Sequence, residues 1–346
     1  MFANWFSQDI GIDLGTANTL IYVKNKGIVL NEPSVIAVDE SSKKILAVGK
    51  AAKAMLGRAP AHIRVVRPLE EGVISDFQMT QIMLREFLSK VVSERSWFTN
   101  VRVVVAVPSG VTNVEKRSVE EVVRQMGARE VFILDEPMAA AIGVGIPVEE
   151  PTGHMIADIG GGTSDIAIIA LGGIVTATSL RHAGDEMNEA IVAYMRRNYN
   201  LLIGTETGEQ IKMEIGSVYL DPEDPDAIRS MEAKGRDLLT GLPKTVTIHS
   251  TDVVKALEEP VEILVEGVKN TLENAPPELA ADIVETGMVL AGGGAFLRGL
   301  DKLLEYHTGM TVTVAENALE AVAEGTGKSL QNISMIRRVS MKDRRY

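Results

Sequence analysis

The same local pattern occurs twice in this chain, and that repetition constrains the fold more than any other feature of the sequence. Ile12-Asp13-Leu14-Gly15-Thr16-Ala17-Asn18-Thr19-Leu20-Ile21-Tyr22-Val23, a turn at Lys24 to Gly27 and then Ile28-Val29-Leu30 read as strand, tight loop, strand, turn, strand. From Met155 onward, Ile156-Ala157-Asp158-Ile159-Gly160-Gly161-Gly162-Thr163-Ser164-Asp165 enters the apolar run Ile166 to Leu171, turns at Gly172-Gly173 and returns through Ile174 to Thr178. Each copy ends an apolar strand on an Asp, follows it with a Gly/Thr loop and starts a second strand. An internal duplication with one copy per domain accounts for both. The 346 residues agree, since about 150 residues per domain gives about two domains.

Between the copies the apolar period changes. Val101 to Val107 is continuous enough for a buried strand, and Thr112-Asn113-Val114-Glu115 has the spacing of a capping box for a helix that stops near Gly127. A strand at Val131 to Leu134 follows, and Pro137 sits where the first helical turn tolerates it, ahead of Met138-Ala139-Ala140-Ala141. Strand, helix, strand, helix is the signature of an α/β sheet. Later segments repeat the theme: a helix over Met187 to Arg197, a capping box at Thr207 to Gln210, a loop at Asp221 to Asp226 and a helix over Val253 to Leu272. After these come a strand at Met288 to Ala291, the loop Gly292-Gly293-Gly294 and a helix from about Phe296 to His307.

The chemistry lies in the repeated loops. Asp13 and Asp158 would repel a phosphate held by the neighbouring Gly/Thr backbone, and a divalent cation between them removes the conflict. Magnesium keeps several waters and is held through one or two carboxylates plus substrate phosphates, while loop amides form an anion nest. Two such half-sites facing each other would clamp a nucleoside triphosphate, with Gly292 to Gly294 as a third loop. Taken singly, each Asp-x-Gly also reads as an ordinary strand end. Glu136 stands at the C-terminal end of a strand, where α/β crevices form, and could orient a water for attack on a γ-phosphate. The other reading is that Asp135 or Glu136 caps the following helix.

Gly325-Thr326-Gly327-Lys328-Ser329 ends like a Walker A loop, but Val322 occupies the position of its first glycine and no apolar strand leads directly into it. The five histidines have no ligand spacing, and the absence of cysteine removes thiolate metal sites and fits a reducing compartment. The charge balance, 35 − 47 = −12, has the wrong sign for a whole-surface nucleic-acid binder, so no nucleic acid is expected as a partner. The longest uncharged run, Ile166 to Leu180, is shorter than the roughly 18 residues a membrane span needs and reads as a hairpin. Met1 to Ile10 lack a basic start and a sustained apolar core, so no secretory signal is read there. Phe2, Trp5 and Phe6 share helical spacing, and Trp97-Phe98 sit in a polar segment. These five aromatics are candidates for contact with a membrane interface, the other reading being that they pack on their own domain.

These residues together resemble the actin-like ATPase superfamily, which includes heat-shock chaperones and sugar kinases and is known by two phosphate loops and an adenosine loop. Here those would be Asp13 to Thr19, Asp158 to Thr163 and Ala291 to Gly294. Within the superfamily the chain is similar to the bacterial cell-shape proteins from about Ile10 to Ile333, through Ile12 to Val23, Asn31-Glu32-Pro33-Ser34-Val35, Glu136 to Gly143 and Val289 to Leu300. The resemblance implies an α/β actin-like fold of two duplicated ribonuclease H-like domains with smaller inserted subdomains. The first large subdomain (IA) would hold residues 1–36, 73–153 and 322–346, and the first small one (IB) residues 37–72. The second large subdomain (IIA) would hold residues 154–190 and 255–321, and the second small one (IIB) residues 191–254.

The resemblance also implies slow ATP hydrolysis, with ATP or ADP and Mg2+ as cofactors. Glu136 and Thr163 match positions implicated in hydrolysis. Gly15, Thr16, Ala17, Asn18, Gly160, Gly161, Gly162, Gly292, Gly293 and Gly294 match the nucleotide loops, Glu209 and Lys212 the region that contacts the ribose, and Asp13 and Asp158 the metal through water. Leu20 stands where actin has a phosphate-contacting lysine. The short N-terminus lacks the basic amphipathic helix of some relatives. The partners implied are further copies of the chain in paired protofilaments, lipid of the cytoplasmic membrane's inner face, the cell-wall elongation machinery and membrane-bound shape proteins. Localisation would be cytoplasmic and peripheral to that membrane. The alternatives are a sugar or acid kinase, which would need a base for a hydroxyl acceptor, and a chaperone-type ATPase, whose substrate domain is not expected in a chain ending at Tyr346.

Overall fold

The computed structural model describes residues 9–91, 101–333 and 336. In the first half β1 (Ile10–Leu14), β2 (Asn18–Val23) and β3 (Gly27–Pro33) are followed by β4 (Ile36–Asp39), β5 (Ile45–Val48), α1 (Lys50–Lys53), β6 (Ile63–Val66), β7 (Leu69–Glu70) and β8 (Val73–Ile74). Then come α2 (Phe77–Val91), β9 (Arg102–Val107), α3 (Asn113–Gln125), β10 (Glu130–Asp135) and α4 (Glu136–Val144). The second half contains β11 (His154–Ile159), β12 (Ser164–Ala170), β13 (Gly173–Leu180), α5 (Gly184–Tyr199), β14 (Leu201–Leu202), α6 (Thr205–Ile215), β15 (Ser230–Asp237), β16 (Pro243–His249) and α7 (Ser250–Glu273). It closes with α8 (Pro277–Thr286), β17 (Met288–Ala291), a 3-10 turn at Gly293–Phe296, α9 (Leu300–Thr308), β18 (Val312–Val314) and α10 (Ala321–Ser329).

The duplication is visible in the sheets. One runs β10-β9-β1-β2-β3 and the other β13-β12-β11-β17-β18. In both, an antiparallel meander of three strands carries two further parallel strands on the side of its first strand. The copies agree in register as well: Asp13 pairs with Leu20 on β2 and Ala106 on β9, and Asp158 pairs with Asp165 on β12 and Ala291 on β17. Smaller sheets, β5-β4-β6 and β14-β15-β16, are inserted one in each half.

Sequence and structure agree at the Thr112 cap, where the hydroxyl accepts from the Glu115 amide and the Glu115 carboxylate accepts from the Thr112 amide at 2.6 Å. They differ at two places. Thr207 is inside α6, which starts at Thr205 after Gly204 without a side-chain cap. The helix expected from Phe296 starts only at Leu300, because Gly299 takes a left-handed φ of 76° and lies against Tyr219.

The two large sheets share a core. α10 packs on β1, β2 and β9, α4 packs on β11 and β12, and the two helices pack on each other. Ala106 and Leu134 from one sheet, Ile156 and Ala167 from the other, and Met138 to Ala141 of α4 are all buried in it. Glycine makes the crossing possible: a Cβ on Gly143 would overlap the Ala321 carbonyl, and one on Gly325 the Ala139 carbonyl. The Walker-like glycines therefore serve packing, and Thr326 and Ser329 hydroxyls donate to carbonyls of their own helix. Gly325→Ala would gain about 1 kcal/mol of helix propensity. The methyl meets rigid backbone, which puts the overpacking penalty at the upper part of about 1–3 kcal/mol. A net loss of about 1–2 kcal/mol is expected in urea unfolding; an unchanged midpoint would mean the helices can separate freely.

Candidate nucleotide site

A cavity of about 520 Å3 opens between the halves, the size of a small-molecule site. It is lined by the loop Gly15 to Asn18, the loop Gly160 to Thr163, the loop Gly292 to Gly294, and Asp13, Asp158, Glu136, Glu209 and Lys212. The fold thus brings every described residue of the sequence-derived set to one place. Phe2, Trp5, Phe6, Trp97 and Phe98 lie outside the described residues.

Each loop is held by its surroundings. The Ser34 hydroxyl donates to the Gly15 carbonyl at 2.7 Å and the Ser34 amide to the Ala17 carbonyl at 3.0 Å, which anchors the first loop from behind. In the second, the Gly160 and Gly161 carbonyls accept from the amides of Gly184 and Asp185 at the start of α5. Gly292, with φ 77°, fits closely against Asp158 and Ile159. The first two loops touch across the cleft, since a Cβ on Gly161 would come 2.7 Å from that of Ala17 and one on Gly162 2.6 Å from the Thr16 hydroxyl.

The electrostatics are those of a site short of positive charge. Burial pushes the Asp13 carboxyl up to about 7. Asp158 is raised well above the usual carboxylate range by burial and then by Asp13 and Asp165. Glu136 is raised likewise, by burial first and then by the charges of Asp165, Asp13 and Asp158. On the opposite wall, burial lowers Lys212 to about 8, and its Nζ donates to the Gly184 carbonyl at 2.6 Å. Asp135 makes no side-chain cap and instead accepts from Lys116 Nζ at 3.1 Å, while Glu136 is buried against the cavity. Among the described residues no three acidic or histidine side chains converge tightly enough to hold a bare metal ion. Two carboxylates facing a solvent-sized space fit a cation that keeps its waters.

The family model described as MreB/Mbl protein matches residues 7–338. The chain belongs to the MreB/Mbl family. It is 52% identical over 338 residues to the cell shape-determining protein MreB of Escherichia coli (strain K12), covering 96% of each. The crystal structure of MreB 5 of Spiroplasma citri bound to AMPPNP superposes with a TM-score of 0.90 at 40% identity, over 95% of this chain and 97% of that one. The same protein bound to ADP gives 0.89 at 39%, over 96% and 98%. The MamK double helical filament, at 20% identity and a TM-score of 0.78 over 94% and 99%, shares the fold. The actin-like α/β fold implied by the sequence motifs is the one found.

In this MreB/Mbl chain the rim of the cleft is closed by ion pairs that no motif announced. Lys53 of α1 reaches Glu209 of α6 at 2.7 Å, Arg67 reaches Asp185 at 3.1 Å, and Glu71 meets Arg181 at 3.0 Å. The cavity wall also includes Asn188, buried with an unpartnered Oδ1, and the exposed Phe296 and Met213. Asn188 belongs to the apolar face of a helix, so its spacing says core; only the third dimension opens that face to the cavity. Partly exposed ion pairs are worth about 0–1 kcal/mol each, enough together to bias an opening motion. Lys53→Ala combined with Arg67→Ala is expected to widen the separation of spin labels placed on α1 and α6. An unchanged distance distribution would show that the rim pairs do not hold the cleft closed.

Proposed function

We propose that the chain binds ATP and its product ADP in the cleft together with Mg2+ and hydrolyses ATP slowly. The observation that carries the reading is the pair of half-sites: Asp13 with Gly15 to Asn18 and Asp158 with Gly160 to Thr163, facing each other across one cavity. AMPPNP and ADP in the similar Spiroplasma citri structures support it. Asp13 and Asp158 would hold the cation through its waters, and the cation would neutralise phosphate charge. Loop amides bind the phosphates, and Glu209 and Lys212 take the ribose side. Glu136, buried and kept basic by its acidic neighbours, orients the attacking water and accepts its proton as attack proceeds. Thr163, on the wall of the same cavity, would help position that water.

Glu136→Ala is expected to leave ATP affinity nearly unchanged and slow single-turnover phosphate release about 100-fold or more; unaltered release would remove Glu136 from its role. Asp13→Ala, Asp158→Ala or chelation of Mg2+ by EDTA should each weaken ATP binding in calorimetry. Full affinity in both variants would contradict the paired half-sites. A kinase of the same superfamily would instead transfer the γ-phosphate to a sugar or acid in a radiolabel assay.

The functional assembly we infer is that of a cell-shape filament. Copies associate in paired protofilaments on the inner face of the cytoplasmic membrane, work with the cell-wall elongation machinery and membrane-bound shape proteins, and direct side-wall peptidoglycan synthesis. The four-subdomain division given above, with the small inserted sheets as IB and IIB, is the frame for this. No helix among the described residues is long and apolar enough to cross a membrane, so attachment would rest on Phe2, Trp5, Phe6, Trp97 and Phe98. Few aromatics anchor one copy weakly, but repetition along a polymer raises avidity by about 100-fold or more. Removing Met1 to Phe6 with Trp97→Ser and Phe98→Ser is expected to abolish liposome co-sedimentation and spare ATP-dependent polymerisation. Normal liposome binding would return those aromatics to packing on their own domain.

A further inference from the structure

We propose that Asp165 is a positioning residue of the hydrolytic site, locking the loop after β9 in the first half onto the second half beneath Thr163; this rests on the nucleotide reading above. The duplicated register isolates what is unusual about it. Asp165 sits opposite Asp158, and the equivalent position opposite Asp13 is Leu20. The fold therefore accepts an apolar side chain at this place. A fully buried carboxylate costs several kcal/mol unless it is well partnered, so its presence in one copy needs a local reason.

That reason is on the other side of the cleft. Asp165 Oδ1 accepts from the Ser109 amide at 2.8 Å and from the Ser109 hydroxyl at 2.7 Å. Ser109 lies three residues beyond Ala106, the β9 partner of Asp13, and the matching position in the second half, three beyond Ala291, is Gly294 of the third loop. Asp165 thus grips the first half's counterpart of a nucleotide loop. The grip is close-fitting: a Cβ on Gly110 would come 2.9 Å from that of Ser179, and Gly72, with φ 75°, is wedged between Pro108 and Thr163.

The other oxygen, Oδ2, is buried without a hydrogen-bond partner, and Thr163, two residues before Asp165, sets its methyl at the same Gly72 that Pro108 of the gripped loop crowds. A rotation of the halves that moved Ser109 would move the adjoining Pro108, and with it the contact at Gly72 against which Thr163 is set. Closure at the cleft floor and placement of Thr163 relative to Glu136 are then one event.

Asp165→Leu, which copies the first half, should fold. ATP affinity should stay within about threefold while single-turnover phosphate release falls about tenfold or more. Asp165→Asn retains an oxygen acceptor for Ser109 and should restore most of the rate. Ser109→Ala keeps the backbone donor and should lose only about threefold, with no further loss when combined with Asp165→Leu. The tie also has a nucleotide-free readout, faster amide exchange at Ser109 in Asp165→Leu. Unchanged release, parallel loss of affinity and rate, or an Asn variant no better than Leu would overturn the proposal. If wild-type protein fails to bind ATP, the nucleotide reading falls, and equal Ser109 exchange in wild type and Asp165→Leu would then overturn the tie on its own.

Discussion

The crossing of α4 and α10 is the contact on which the rest of the molecule depends. Each duplicated sheet presents one half-site, and a half-site alone has only a carboxylate and a loop. What makes them face each other is the shared core in which α10 rests on the first sheet, α4 on the second, and the helices meet backbone to backbone at Gly143 and Gly325. Interiors pack to crystal-like density and transmit displacement rather than absorb it. A side chain at that crossing would change the separation of the loops at the far side of the sheets.

With the half-sites opposed, the cleft acquires an electrostatic problem. Asp13, Asp158, Asp165 and Glu136 are drawn together with too little solvent to stabilise their charges, and all four are shifted upward. A structural core would not keep such a group. A site that receives a hydrated cation and a polyphosphate would, because the metal neutralises the acids and the loop amides take the phosphate. In the proposed reaction the same crowding would make Glu136 basic enough to accept a proton from water.

The halves are tied at two depths with different physics. At the rim, flexible Lys and Arg side chains make part-exposed ion pairs, weakened by salt and easily remade after opening. At the floor, half-buried Ser109 donates to the fully buried Asp165 carboxylate, for which a lost partner is costly. A cleft held loosely at its mouth and firmly at its base would open by rotation about the base. In the proposed reading nucleotide would enter by that opening, and the tie at the base would set Thr163 relative to Glu136 as the cleft recloses. In a family of cell shape-determining, actin-like proteins, such a hinge would link the state of the nucleotide to the shape of each subunit.

Much of this was legible in the residue order. The Asp-x-Gly copies, the strand periods, the Thr112 capping box and the position of Glu136 are local patterns, and local sterics and hydrogen bonding read the same in any context. The duplicated motif even announced that two half-sites had to meet. The Walker-like glycines, the start of the helix after Gly294 and the roles of Lys53, Arg67, Asn188 and Asp165 were not legible. Gly325 is glycine because of Ala139, which lies in α4, and Asp165 is acidic where Leu20 is not because Ser109 comes from the opposite sheet. Sequence determined the elements and the chemistry of each loop, through interactions between near neighbours in the chain. Tertiary structure decided which glycines pack, which charges pair and which buried acid spans the cleft, because those depend on residues that become neighbours only when the two copies close on a common core.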